Sequence, residues 1–252
     1  MTAIPTGRFV WFEYVSQEAQ KAQGFFGELF NWGTQAVPMP QGAYTMIASG
    51  GKTIGGYLAT PPGAPPHAHW ISHLQVTDAQ TSAAQIKTLG GKVYKDPFKV
   101  GDFGTMAVVA DPQGGMFALW QPARAEQQTA PVDGSFCWNE LASPDPEASV
   151  AFYRAVGGFE TDQMDMGEMG AYHLLKSDGQ PRAGIMKKMM PEQPNAWLPY
   201  VQVASADATA DRAKRLGANV VVPPTDIPNV GRFAILVDPQ GAGIGVLQAP
   251  AR

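Results

Sequence analysis

At 252 residues and 26.9 kDa the chain has room for one large domain or two ordinary ones. Its 44% hydrophobic content is normal for a globular protein, and a net charge of −4 with no Lys/Arg block excludes the footprint of nucleic-acid or anionic-membrane binding. Cys137 is the only cysteine, which excludes an intrachain disulfide, and no apolar run approaches the roughly eighteen residues of a membrane span. A soluble, cytoplasmic protein is expected.

Residues 8–16 (RFVWFEYVS) are aromatic and branched, and predict a strand. Residues 17–30 follow with Ala19, Ala22, Phe25, Phe26 and Leu29 at helical spacing, which predicts an amphipathic helix. Short strands are expected at 43–49 and 53–60, then a loop at Pro61–Pro66. A strand running from Trp70 to Val76 precedes a second helix at 78–89, capped by Asp78 and stopped by Gly90-Gly91. Strands near 92–95, 104–110 and 115–121 complete this stretch. Residues 122–134 carry Pro, Gln and charge without periodicity and read as a linker.

Beyond the linker the pattern begins again. Val109-Ala110-Asp111-Pro112-Gln113-Gly114 returns as Leu236-Val237-Asp238-Pro239-Gln240-Gly241, each copy an Asp-Pro-Gln-Gly turn between two apolar runs. Trp138, Glu140 and Ser143 match Trp11, Glu13 and Ser16, and Phe152 matches Phe25. Trp197 and Gln202 match Trp70 and Gln75, Leu216-Gly217 matches Leu89-Gly90, and Val220 and Pro224 match Val93 and Pro97. A repeated hairpin with repeated surroundings implies a duplicated domain. The expected class is α+β: a tandem duplication over 1–121 and 135–252, each half made of two βαβββ modules with curved mixed sheets.

The W-x-E strand, the W-x-x-H-x-Q-V and W-x-x-Y-x-Q-V strands, the helices ending Leu-Gly and the late Asp-Pro-Gln-Gly hairpin resemble the vicinal oxygen chelate superfamily. That superfamily comprises the glyoxalase I, bleomycin-resistance and extradiol-dioxygenase proteins, and the likeness is greatest to its two-domain bacterial glyoxalase-like branch. The resemblance implies sheets curled around a cleft in each domain, with metal ligands on inward positions in metal-dependent members. Carried over to this chain, those positions fall on Trp11, Ile71 and Ala118 in the first half and Trp138, Leu198 and Gly245 in the second. None of these side chains ligates a divalent ion as imidazole or carboxylate does. No cofactor is therefore expected, and a divalent metal held by other residues stays open.

Alternation along strands would turn Glu13 and Glu140 into the clefts beside Trp11 and Trp138. It would do the same for His73 and Gln75, for Tyr200 and Gln202, and for Met116 and Trp120. Each Glu reads either as a general base or acceptor in an apolar site, or as a structural partner of loop backbone. His73 is the other acid/base candidate, with a hydrogen-bonded core role as its alternative. His67 and His69 in a Pro-rich loop form a weaker metal-like pattern, and His173 has no comparable neighbour. Arg232 offers a fork for a carboxylate or phosphate, or is a surface residue. Met164, Met166, Met169, Met186, Met189 and Met190 read as adaptable apolar filling.

Three functions fit these residues. The first is a small-molecule binder for an aromatic or carbonyl-containing ligand. The second is a glyoxalase-like lyase or dioxygenase using Glu13, Glu140 or His73 as catalytic groups or a non-standard metal site. The third is a structural or regulatory protein with vestigial clefts. The expected partner is a small molecule, with neither nucleic acid nor membrane, and the expected state is a monomer acting as a pseudo-dimer or a homodimer.

Overall fold

Four βαβββ modules follow one another along the chain. The first comprises β1 (Arg8–Ser16), α1 (Ala19–Phe30), β2 (Gly33–Met39), β3 (Gly42–Ser49) and β4 (Lys52–Ala59). The second has β5 (His69–Gln75), α2 (Ala79–Thr88), β6 (Lys92–Val100), β7 (Gly104–Ala110) and β8 (Met116–Pro122). The third has β9 (Phe136–Ser143), α3 (Pro146–Gly157), β10 (Glu160–Asp165), β11 (Ala171–Ser177) and β12 (Gln180–Lys187). The fourth has β13 (Trp197–Gln202), α4 (Ala206–Arg215), β14 (Asn219–Ile227), β15 (Gly231–Val237) and β16 (Gly243–Gln248). The structure is a computed structural model and describes residues 6–39, 42–61, 63, 66–125, 130–167 and 170–250. Met169 and parts of the Pro-rich loop and the linker lie outside the described residues.

The helices start and stop where their sequences dictate. Asp78 accepts from Thr81 N at 2.6 Å at the head of α2, and Asp145 accepts from Ala148 N at 3.0 Å at the head of α3. Asn31 ends α1 in the left-handed region at φ 58°. Strand β2 is the element that propensity misses: Gly33 and Pro38 argue against a strand, yet it pairs with β3 alone, where a proline removes no bond from a second neighbour. Among the described residues no helix is long and apolar enough to cross a membrane.

Each module uses the same pairing. The first strand runs parallel to the last, as in Glu13 opposite Gly56 and Glu140 opposite Gly184, and the remaining pairs are antiparallel. Among the described residues sixteen strands form two eight-stranded mixed sheets. The chain also divides into two compact units, each holding one module from each half. One comprises Met1–Val10, Ile71–Thr129 and Trp138–Trp197; the other comprises Trp11–Trp70, Ala130–Cys137 and Leu198–Arg252.

In the first unit the buried core joins Leu74, Ile86, Val109 and Phe117 of the second module to Phe152, Tyr153, Leu175 and Ile185 of the third. In the other, an aromatic cluster of Tyr14, Phe26, Trp32 and Trp70 takes in Phe136, whose ring stacks 4.0 Å from Phe12. Those of these side chains that are fully buried each contribute about 1.5–3 kcal/mol from area removed from water.

The Asp-Pro-Gln-Gly turns tie the modules of each unit together. Asp111 is 2% exposed; its Oδ1 accepts from Gln113 N and Gly115 N, and its Oδ2 accepts from the Tyr153 hydroxyl of α3 at 3.0 Å. The Trp197 indole in turn donates to the Tyr153 oxygen at 2.9 Å. Asp238, 4% exposed, accepts from Gln240 N and Ala242 N, but its tyrosine is Tyr14 of β1 at 2.5 Å. Phe26 stands where the sequence repeat aligns Tyr153, so the same turn recruits its hydroxyl from a helix in one unit and a strand in the other. Gln113 and Gln240 extend the contact, bonding Ser143 and Ser149 in one unit and Ser16 in the other.

Tyr153→Phe leaves a buried carboxylate oxygen without its side-chain donor, and is expected to cost about 1–3 kcal/mol in urea unfolding. An unchanged midpoint would remove this bond from the account. Burial is the main cause that raises Asp111 and Asp238 above their ordinary 3.8. The folded state therefore holds these protons at pH values where the unfolded chain has released them. The stability tied to them is complete below the unfolded value and falls as pH rises from there through the raised folded values. Asp111→Asn/Asp238→Asn should flatten this part of the stability–pH curve, measured by urea unfolding as pH rises from the ordinary value of 3.8.

Candidate functional site

Sheet register brings the W-x-E motifs to tyrosines that lie far off in sequence. On β1, Trp11 and Glu13 are two residues apart and share a face. Glu13 stands opposite Gly56 of β4, Gly56 stands opposite Met46 of β3, and Tyr44 lies two residues before Met46. The Trp11 indole donates to the Tyr44 oxygen at 3.1 Å, and the Tyr44 hydroxyl donates to Glu13 Oε1 at 2.9 Å. The third module repeats the arrangement within the other unit. Trp138 donates to Tyr172 at 3.0 Å, and Tyr172 donates to Glu140 Oε2 at 2.7 Å.

Glycine makes both relays possible. A Cβ at Gly56 would sit 1.9 Å from the Tyr44 oxygen, and one at Gly184 would sit 2.0 Å from that of Tyr172. The hydroxyl end of each phenol therefore occupies space beside a glycine that any other residue's Cβ would fill. Burial, and then the neighbouring Glu13 or Glu140 carboxylate, pushes both phenols well above their ordinary range. They remain protonated and act as donors to the carboxylates. Trp11, Trp138 and Glu140 are half-buried and Glu13 is buried, so each relay runs from a partly open indole to an acidic end.

The other sequence-predicted residues occupy varied places. His73 is buried on β5 opposite Ala118, and Gln75 stands opposite Trp120 of β8. Met116 pairs with Ala110 at the start of β8, beside the turn. The Tyr200 ring fills the space over Gly245, where a Cβ would lie 2.3 Å from it. Gln202 donates to Asp133 at 3.2 Å. Arg232 gives two guanidinium donors to Asp207 at 2.7 and 2.9 Å and a third nitrogen to Asp226 at 3.1 Å. The His69 ring turns to the His67 carbonyl at 3.0 Å, and burial lowers its pKa.

Met164, Met189 and Met190 are exposed by 40%, 58% and 57%, so they do not fill a core as the sequence suggested. Met164 lies on β10, whose residues are all exposed, and the other two follow β12 in a loop. Sequence reasoning missed Tyr44, Tyr172, Gly56 and Gly184. The signal was present: Ala43-Tyr44 and Ala171-Tyr172 recur 128 positions apart, as do the two glycines.

A family model described as a glyoxalase-like domain matches residues 138–247. CFP32 of Mycobacterium tuberculosis, provisionally named a glyoxylase, is 36% identical over 243 residues, covering 94% of this chain and 93% of that protein. The anthracycline biosynthesis protein DauV of Streptomyces sp. strain C5 is 32% identical over 269 residues, covering 98% and 95%. Among solved structures, the Mn(II)-bound glyoxalase from Novosphingobium aromaticivorans superposes with a TM-score of 0.67 at 16% identity, over 97% of this chain and 82% of that one. The 2,2',3-trihydroxybiphenyl 1,2-dioxygenase of Sphingomonas wittichii RW1 gives 0.69 at 11%, over 97% and 91%. By fold, by the domain model and by relatives matched over nearly their whole length, the chain belongs to the glyoxalase-like branch of the vicinal oxygen chelate superfamily.

Proposed function

We propose that this chain binds a small organic molecule with an aromatic or carbonyl-bearing framework, and does so without the superfamily's usual metal. The two Trp–Tyr–Glu relays are the candidate contacts, and their repetition is the observation that carries the reading. In both halves an indole, a phenol and a carboxylate are linked in the same order over a glycine kept bare for the phenol. The half-buried indole supplies a stacking face, and the carboxylate end accepts hydrogen bonds from hydroxyl groups. Trp11, Ile71, Ala118, Trp138, Leu198 and Gly245, at the positions where the resemblance places ligands, do not suit the usual metal. Likeness to an anthracycline biosynthesis protein favours a planar, hydroxylated ring system as ligand.

A second reading is metal-free lyase or isomerase chemistry with Glu13 or Glu140 as the base. It draws on the phenol that holds one carboxylate oxygen of each in place.

Titration with a hydroxyanthraquinone, followed by tryptophan fluorescence, should show saturable quenching. Tyr44→Phe and Tyr172→Phe should each weaken one class of site about tenfold, equivalent to about 1.4 kcal/mol. No saturable binding, or binding indifferent to both substitutions, would defeat the binding reading. Glu13→Gln and Glu140→Gln separate the two readings: loss of turnover with binding retained supports the base, and unchanged turnover removes it. Gly184→Ala should lower the urea midpoint by an amount equivalent to about 1–3 kcal/mol, because the phenol has nowhere to move without leaving Glu140.

A further inference from the structure

A groove of about 310 Å³ opens at the head of α3, lined by Asp145, Glu147, His173 and Lys187 with Pro144 and Pro146. It lies wholly within one compact unit. Tyr172 and His173 are neighbours on β11, so alternation sends their side chains to opposite faces, and His173 points away from the Trp138–Tyr172–Glu140 relay.

The His173 side chain is 9% exposed, and its buried Nε2 makes no hydrogen bond among the described residues. An imidazole nitrogen buried without a partner carries an uncompensated desolvation cost. Facing it is Glu147, whose Oε1 lies 3.7 Å away on a side chain that is 75% exposed.

That separation leaves a gap between the two donor atoms. It is too long for a direct bond. A water bonded to both atoms at its natural angle would hold them about 4.4 Å apart. Two metal–ligand bonds of about 2.0–2.1 Å at a tetrahedral angle span about 3.4 Å, which a small rotation of the exposed Glu147 reaches. We propose that His173 and Glu147 form a binding site for a borderline divalent cation of the zinc type.

Neutral imidazole and carboxylate are the donors such an ion prefers, and water completes its shell. Among the described residues no group of three or more His, Cys, Asp or Glu gathers, so this is a two-ligand site. The ion would fasten β11 to the start of α3, where Gln113 of the Asp-Pro-Gln-Gly turn already bonds Ser149 and the Asp145 carbonyl. The site belongs to one half only: Gln20, Thr45 and Ala59 stand at the matching positions of the first module.

Calorimetric titration of the chelator-stripped full chain with zinc chloride tests this. One equivalent should bind and raise the thermal midpoint. Glu147→Gln, a change at an exposed side chain, should weaken binding by at least about tenfold, as should His173→Gln. Lys187→Ala removes a positive charge from the rim and should tighten binding several-fold. His67→Ala/His69→Ala should leave it unchanged. Absence of zinc binding overturns the proposal, as does binding that ignores Glu147→Gln or vanishes with His67 and His69. Weaker binding in Lys187→Ala also overturns it, since that marks an anionic ligand held by the lysine.

Discussion

A carboxylate buried in a turn is the constraint from which the tertiary arrangement follows. Asp111 and Asp238 are almost wholly removed from water, and a charge in that position is tolerable only with several donors. The turn itself supplies two backbone N–H groups, and the third donor is a tyrosine from the other half of the chain. Each hairpin is thereby tied to a module of the other half. The compact units pair the second module with the third and the first with the fourth. Loss of one such donor costs more than an ordinary hydrogen bond, because it strands a buried acceptor.

The two ties differ in an instructive way. Tyr153 also receives the Trp197 indole, whereas Trp70, at the matching position, keeps a buried Nε1 without a hydrogen bond among the described residues. Duplication preserved the acceptor and let the donor move from helix to strand. What physical chemistry requires is a hydroxyl at the carboxylate, and either element delivers one. The Trp–Tyr–Glu relays show the opposite behaviour: the same residue types occupy the same strand positions in both halves, with the same glycine beneath the phenol.

Much of this was legible in the chain itself. The strand of residues 8–16, the helix over Ala22 to Leu29, the Asp78 cap and the hairpin turns all rest on short-range rules of spacing, capping and φ preference, and they appear where those rules place them. Strand β2 was hidden because Gly33 and Pro38 depress local propensity, while pairing with β3 alone tolerates both. The W-x-E motif was visible, but its tyrosine was not. Glu13 and Tyr44 meet only through the register of three strands, which no local pattern encodes. Arg232 read from the sequence as either a fork for a carboxylate or phosphate or a surface residue, and its donors are occupied by Asp207 and Asp226.

The sequence by itself determined the duplication, the α+β class and the superfamily, because these depend on repeats, periodicity and turn residues that act over a few positions. Tertiary structure decided which modules share a core, which tyrosine answers each buried aspartate, and that Trp11 and Trp138 reach Glu13 and Glu140 through a phenol. Those outcomes depend on contacts between residues tens to hundreds of positions apart. Such contacts are selected by the desolvation of buried polar groups and the exclusion of a Cβ, and neither leaves a periodic trace in the chain.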